Sequence, residues 1–294
     1  MEEIKNERMS RRNLKVTDIE TIRIKNVELA ALQLLKKKYK PAIIIVGLFL
    51  SIIGFIEIKA GVGEWSIVLL GCFVGFIFGI FFLEREKIFP EFIKQFAQAM
   101  GLTYSTEGNM NTVAGPLFTS GDSQEIKYVA GGYFNNFPMR LFTFFFVADI
   151  GDDKGERVMT VLEITFETDL PTIVFRRISL ESESEIFHFT YPLETYIPLE
   201  EKGVYLSTIK GYEVEALQIF KPEFIKELLN MPLALNLVLH SNKLYIYYVG
   251  RVLTLDKLIV FYNFAEKTAF ALGPFLKRLH RDIDALEPYF PVKK

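Results

Sequence analysis

The sequence predicts an α+β fold, a two-helix transmembrane hairpin followed by a mostly antiparallel sheet domain with flanking helices. Three observations carry this expectation. Between Pro41 and Leu83 only Glu57, Lys59 and Glu64 are charged, although 24% of the 294-residue chain is charged. After Glu84, apolar runs of strand length alternate with turn residues, the pattern of paired strands. Helical periodicity appears beside the hairpin and towards the C-terminus, which segregates helices from strands; a parallel sheet would alternate them. The chain divides into a basic tail (1–40), the hairpin (41–83, spans 41–58 and 65–83) and an α+β domain (84–294).

The tail holds eleven Lys/Arg and six Asp/Glu. Thr17 or Asp18 is placed to cap a helix with Glu20 in its first turn. Ile19, Ile22, Val27, Ala30, Ala31 and Leu34 recur at roughly helical spacing, so the tail is expected to be partly helical and amphipathic. Its run Lys36, Lys37, Lys38 and Lys40 would lie at the lipid headgroups, where each basic residue gains about 1 kcal/mol from anionic lipid. The plainer role of these lysines is to set topology.

Pro41 to Ile56 is sixteen residues without a charge, and Trp65 to Leu83 is nineteen. Both approach the ~20 residues that a bilayer core requires. A charged 40-residue tail precedes the first run, which is unlike a cleavable signal peptide. The segment 57–64 has two glycines and only reverses the chain. Arg23, Lys25, Lys36, Lys37, Lys38 and Lys40 before the hairpin, and Arg85, Lys87 and Lys94 after it, outnumber Lys59 in its loop. That asymmetry predicts both termini in the cytoplasm. Gly71, Gly75 and Gly79 on the second helix, and Gly47, Ser51 and Gly54 on the first, form small-residue stripes suited to helix packing, within the hairpin or between copies. Neither uncharged run, 41–56 or 65–83, contains Asp, Glu, His, Lys or Arg, which argues against a transport pathway through these two helices.

In the domain, 22 basic and 28 acidic residues leave no surplus of positive charge for phosphate, so nucleic acid is not an expected partner. The run Tyr133, Phe134, Phe137, Phe142, Phe144, Phe145 and Phe146 is read as buried strand rather than base-stacking surface. A helix is expected over 87–100, ended by Gly101. Strands are expected at 125–130, 141–148, 158–167, 172–177, 185–190 and 213–220. A Pro222-led helix should run to Leu229. Leu233, Leu235, Leu237 and Leu239 alternate, Ser241-Asn242 turns, and 244–249 returns as a second hairpin. A long helix begins at Thr254 or Asp256 and reaches about Leu286, with an interruption near Gly273-Pro274. Its 208 residues suggest that 87–294 folds without the anchor.

The sequence shows no catalytic, cofactor-binding or metal-ligating set. His188, His240 and His280 are scattered, and Cys72, the single cysteine, can form no intrachain disulfide. Phosphate-loop and nucleophile-elbow patterns are absent. Asp149, Asp152, Asp153 and Glu156 lack the spacing of a calcium loop and read as a solvated hairpin turn. Glu181, Glu183 and Glu185 alternate with serines and read as an exposed strand edge.

The order of features, with EFIKQFAQAMGL after the hairpin, YEVEALQIFKPEFIKELL, and NLVLHSNKLYIYY, resembles a bacterial membrane-protein family of unknown function. Its members have two N-terminal transmembrane helices and a cytoplasmic α+β domain. The resemblance implies a multi-pass protein of the bacterial inner membrane and carries no catalytic residue. The leading expectation is a membrane-anchored interaction or regulatory module. Its partners would be the lipid bilayer and another membrane or cytosolic protein, or a second copy of the chain. Two alternatives stay open, an enzyme acting on a membrane-associated substrate without a recognisable motif, and a structural subunit of a membrane complex.

Overall fold

A computed structural model describes residues 19–60, 65–119, 121–150, 153–177, 195–197 and 204–286. Two long helices come first, α1 (Val27–Ala60) and α2 (Trp65–Ala99). Each is about 50 Å long at 1.5 Å per residue. The strands are β1 (Thr103–Glu107), β2 (Asp122–Phe134), β3 (Phe137–Ile150), β4 (Asp153–Arg177), β5 (Thr195–Ile197), β6 (Val204–Thr208) and β7 (Leu235–Val249). Three further helices are α3 (Glu213–Ile219), α4 (Pro222–Leu229) and α5 (Leu255–Leu286). The α+β class is as the sequence predicts, with one seven-stranded sheet paired antiparallel throughout.

The sheet runs β1-β2-β3-β4-β6-β5, and β7 also pairs with β4. One face packs against the helices. Phe92 and Phe96 of α2, Leu162 and Ile164 of β4, Leu237 and Ile246 of β7, and Leu258 and Phe261 of α5 share one buried cluster. The other face, with Phe142, Phe144, Val161, Tyr245 and Tyr247, is covered by Leu117 and Phe118 from the segment before β2. Because β4 and β7 are buried on both faces, their alternate residues divide between the two clusters, as strand periodicity requires.

Several expected elements take another form. Residues 213–219 are helical instead of extended: Glu213 and Glu215 lie in the first turn, and Ala216 and Ile219 are buried three positions apart. The two segments 158–167 and 172–177 are one strand, interrupted between Thr165 and Ile173 by register shifts. Leu235 to Val249 is likewise one strand and not a hairpin, because residues on both sides of Ser241 pair with β4. Ser241 takes φ 52°, a kink in a continuing strand. Helix α5 passes through Gly273-Pro274 without a break, and a Cβ at Gly273 would collide with the Phe137 ring, so glycine lets sheet and helix approach. The hairpin between 141–148 and 158–167 is present, with Ile150 paired to Asp153. The expected strand at 185–190, with His188 and the 181–185 glutamates, lies outside the described residues, as does Asp152.

At its domain end α2 stops at Gly101, as expected. The Gly101 amide donates to the Gln98 carbonyl at 3.1 Å, the Leu102 amide donates to Ala97 at 2.8 Å, and Gly101 has φ 67°. This pair of bonds is a Schellman cap, whose left-handed residue favours glycine. At its own N-terminus α1 is capped by Asn26, whose Oδ1 accepts the Leu29 amide at 3.0 Å; Thr17 and Asp18 lie outside the described residues.

The described part of the tail packs against the domain. Ile22, Val27 and Ala31 are buried in the same cluster as α2, α5 and the sheet. The Val27 amide donates to the Leu253 carbonyl at 2.9 Å, and the Leu255 amide donates to Lys25 at 2.8 Å. A boundary at residue 40 therefore cuts through one hydrophobic core. Leu34, expected on the apolar face, is exposed, and Leu35 takes the inner position.

Among the described residues one helix, Ile67–Ala99, is long and apolar enough to cross a membrane. Its partner α1 carries Lys36, Lys37, Lys38, Lys40 and Pro41 in mid-helix, which shortens its apolar part.

Candidate functional site

The molecule's distinctive region is where α1 and α2 leave the domain core and become apolar and exposed. The two helices run antiparallel. Gln95 near the end of α2 accepts the Arg23 amide at 3.0 Å, while Lys38 and Tyr39 of α1 meet Glu84. Beyond that level Ile44, Leu48, Phe49 and Ile52 of α1, and Ile67, Val68, Leu70, Phe76, Phe78, Phe82 and Leu83 of α2, are exposed. A belt of large apolar side chains around two helices is stable only if something other than water covers it.

Glu84 forms the collar of this belt. Its carboxylate accepts from Lys38 Nζ at 3.4 Å, from the Tyr39 hydroxyl at 3.4 Å and from Lys87 Nζ at 3.3 Å. One buried carboxylate thus ties the two helices together where they emerge. Lys36, Lys37 and Lys40, the other expected headgroup contacts, are exposed. Just inside the collar, Leu35, Tyr39 and Val46 face Phe73, Phe76, Ile77 and Ile80 across an apolar cleft enclosing about 40 Å³.

The small-residue stripes do not form this seam. A Cβ built on Gly47, Gly71, Gly75 or Gly79 would meet nothing within 4 Å. Helical phase gives the reason. At 100° per residue the three glycines of α2 lie about 160–240° around from Phe73, while Phe76, Ile77 and Ile80 lie within about 60° of it. Bulky residues fill the interhelical gap, and the expectation that these glycines pack the hairpin is corrected for those four. The side chains of Ser51 and Gly54 lie outside the described residues.

A second junction fastens α2 to the sheet. The guanidinium of Arg251, which follows β7, lies 5.1 Å from the Phe89 ring centroid and 5.2 Å from that of Phe145, and pairs with Glu86 at 2.5 Å. Sandwiched between two rings, the cation gains from both π-faces and from the carboxylate.

On the opposite sheet face Arg140, Glu163 and Tyr245 are direct cross-strand neighbours on β3, β4 and β7. Arg140 grips Glu163 with two bonds, Nε to Oε1 at 3.0 Å and Nη2 to Oε2 at 2.6 Å, and Lys243 Nζ approaches Oε2 at 3.4 Å. The same cations hold the covering segment: Arg140 Nη1 donates to Thr112 Oγ1 at 2.6 Å, and Lys243 donates to the Thr112 carbonyl. The Tyr245 hydroxyl accepts the Ala114 amide at 3.2 Å, and burial pushes its pKa well above the ordinary tyrosine value. The buried carboxylate is satisfied by the strap-holding cations, and the arrangement clasps residues 109–119 to the sheet. Sequence reasoning missed this cluster because only the register brings positions 140, 163 and 245 together.

His240 is half-buried beside the Thr172 hydroxyl, 2.8 Å from Nδ1, and burial lowers its pKa. Phe134, Phe137, Phe142, Phe144 and Phe146 of the aromatic run lie in or against the two cores and Phe145 is buried beside Arg251, while Tyr133 is exposed. Among the described residues no three His, Cys, Asp or Glu side chains gather as a metal site.

No family model matches the chain, and no curated protein matches it. Among solved structures it is similar to the mycobacterial trehalose monomycolate transport factor A, TtfA, at 14% identity and a TM-score of 0.44, covering 61% of this chain and 93% of that one. A likeness at that level carries no argument about function.

Proposed function

We propose that the chain is a membrane-anchored interaction or regulatory module, with 41–58 of α1 and 65–83 of α2 crossing the bilayer as a hairpin. The domain and both chain ends would face the cytoplasm. The supporting observation is the exposed apolar belt on both helices at one level, bounded by the Glu84 collar on the domain side. The lengths agree: 65–83 spans about 28 Å at 1.5 Å per residue, against a hydrocarbon core of about 30 Å. Both helices are rooted in one core, so both apolar segments leave the domain together. Positive charge gathers at that exit, which suits a cytoplasmic domain.

Alkaline extraction of membranes, with cysteine labelling of intact cells, tests this. In a Cys72→Ser background, Val62→Cys should react with an impermeant maleimide and Phe290→Cys should not. Release of the protein by alkali, or the reverse labelling pattern, refutes the anchoring.

A second reading, a subunit of a larger membrane complex, draws on the open glycine face of α2. Bulky substitution at Gly75 that leaves the chain folded but changes its assembly size in mild detergent would favour it.

A further inference from the structure

Four lysines lie together before Pro41, and the structure separates them into two kinds. Lys38 is bound to Glu84 and lies over the Tyr39 ring, facing α2. Lys36, Lys37 and Lys40, exposed like Lys38, form no ion pair among the described residues. Helical phase accounts for the division. At 100° per residue, positions 36, 37 and 40 fall within about 100° of arc, and position 38 lies roughly 200° from position 36. No acidic residue occurs between Leu29 and Ile44 to neutralise this face.

We propose that Lys36, Lys37 and Lys40 form a contact face for anionic phospholipid headgroups, in the leaflet nearest the domain. The proposal rests on the anchoring reading above and adds the lipid class that the collar selects. Their level along the helix favours lipid over a soluble acidic partner. Beyond the lysines the exposed apolar residues of α1 resume at Ile44, one turn past Lys40, Leu29, Leu32 and Leu34 being exposed on the domain side. From Lys36 to Lys40 the helix rises about 6 Å. That matches the roughly 5–8 Å headgroup layer left when a 30 Å hydrocarbon core is subtracted from a 40–45 Å bilayer. Lysine side chains extend their ammonium groups into that layer while their stems lie along apolar surface. A charge at this depth is close to the lipid phosphates, where screening by salt is least complete. Lys38 is excluded from the face because its charge is already answered by Glu84, so a fourfold-lysine description overstates the number of lipid contacts.

The test uses the full chain reconstituted in vesicles of phosphatidylcholine with phosphatidylglycerol, and spin-labelled probes of each lipid to read the motionally restricted shell. Alkaline extraction of the same vesicles first establishes insertion. Wild type should prefer phosphatidylglycerol by about fivefold per lysine contact, which is the roughly 1 kcal/mol of a basic residue near anionic lipid converted at 1.4 kcal/mol per tenfold. The variant K36Q/K37Q/K40Q should lose the preference, and K38Q should keep it. Raising the salt to 0.5 M should reduce the wild-type preference. An inserted wild-type protein with no preference, or a preference that survives the triple substitution, overturns the lipid face and leaves the anchoring intact. Loss in K38Q equal to that in the triple variant overturns the division between the lysines. Extraction of wild type by alkali overturns the anchoring, and the lipid face with it.

Discussion

Removing residues 1–86 should strip the sheet domain of part of its own core. The fragment 87–294 keeps the sheet, α3 to α5 and the last turns of α2, yet loses Ile22, Val27 and Ala31, all buried against what remains. Full burial of an Ile, Val or Leu side chain contributes about 1.5–3 kcal/mol. Ile22 and Val27 together amount to about 3–6 kcal/mol, before counting Ala31 or the backbone bonds to Leu253 and from Leu255. A domain is typically stable by only 5–15 kcal/mol, so the loss is a large fraction of the whole. The fragment is therefore expected to aggregate or to melt without cooperativity, contrary to the independence that its length suggests.

The assay is thermal denaturation and size exclusion of 87–294, alone and with a synthetic peptide of residues 19–38. The peptide should bind and raise the melting temperature, and a peptide carrying Val27→Asp should do neither. A fragment that is monomeric, melts cooperatively and ignores the peptide would refute the reasoning, since the N-terminal segment would then contribute little to the core.

Three further outcomes follow from the packing. Gly273→Ala should destabilise the domain by about 1–3 kcal/mol through collision with Phe137, despite the better helix propensity of alanine, and a rise in denaturation midpoint would refute the close approach. Glu163→Gln leaves two cations facing a neutral group under the strap; breaking a buried pair costs about 3–5 kcal/mol, and part exposure of Arg140 and Lys243 lowers this to about 2–3, readable by urea unfolding. His240 stays neutral in the fold to lower pH than in the unfolded chain, so the unfolded state binds the extra proton as pH falls below about 6.5. Stability should decline over that window from this group, and His240→Gln should flatten the dependence between pH 7 and 5.5.

What sequence patterns revealed was local. The cap at Gly101, the helix after Pro222 and the β3–β4 hairpin are each specified by a residue whose backbone preference acts within a few positions. Residues 213–219 misled because seven residues fit a strand as well as two helical turns, and the decision lies in which side chains the sheet buries. The long strand β4 read as two because the irregular register at 165–173 falls in a polar stretch, where a turn and a bulge look alike. The spacing of Ile22, Val27 and Ala31 did announce an apolar face. Its partner near Leu253 is over 200 residues away, and nothing local identifies it. For the same reason the Arg140–Glu163–Tyr245 row was invisible, whereas the lysine collar, being contiguous, was legible and needed the structure only to set Lys38 apart.

The way the two long helices enter the domain constrains any role at the membrane. Helix α1 continues past Pro41 and α2 past Pro90, with no loop between the apolar belt and the core. At the collar Glu84 couples the helices to each other, and one turn further Arg251 couples α2 to the sheet through Glu86, Phe89 and Phe145. A flexible linker would let the domain wander relative to its anchor. Here a tilt of α2 must either carry the sheet with it or separate Arg251 from Glu86, because densely packed side chains do not deform continuously. The apolar part of α2 and the sheet are therefore joined without a linker at the Arg251 junction, so the orientation of α2 is set by the sheet.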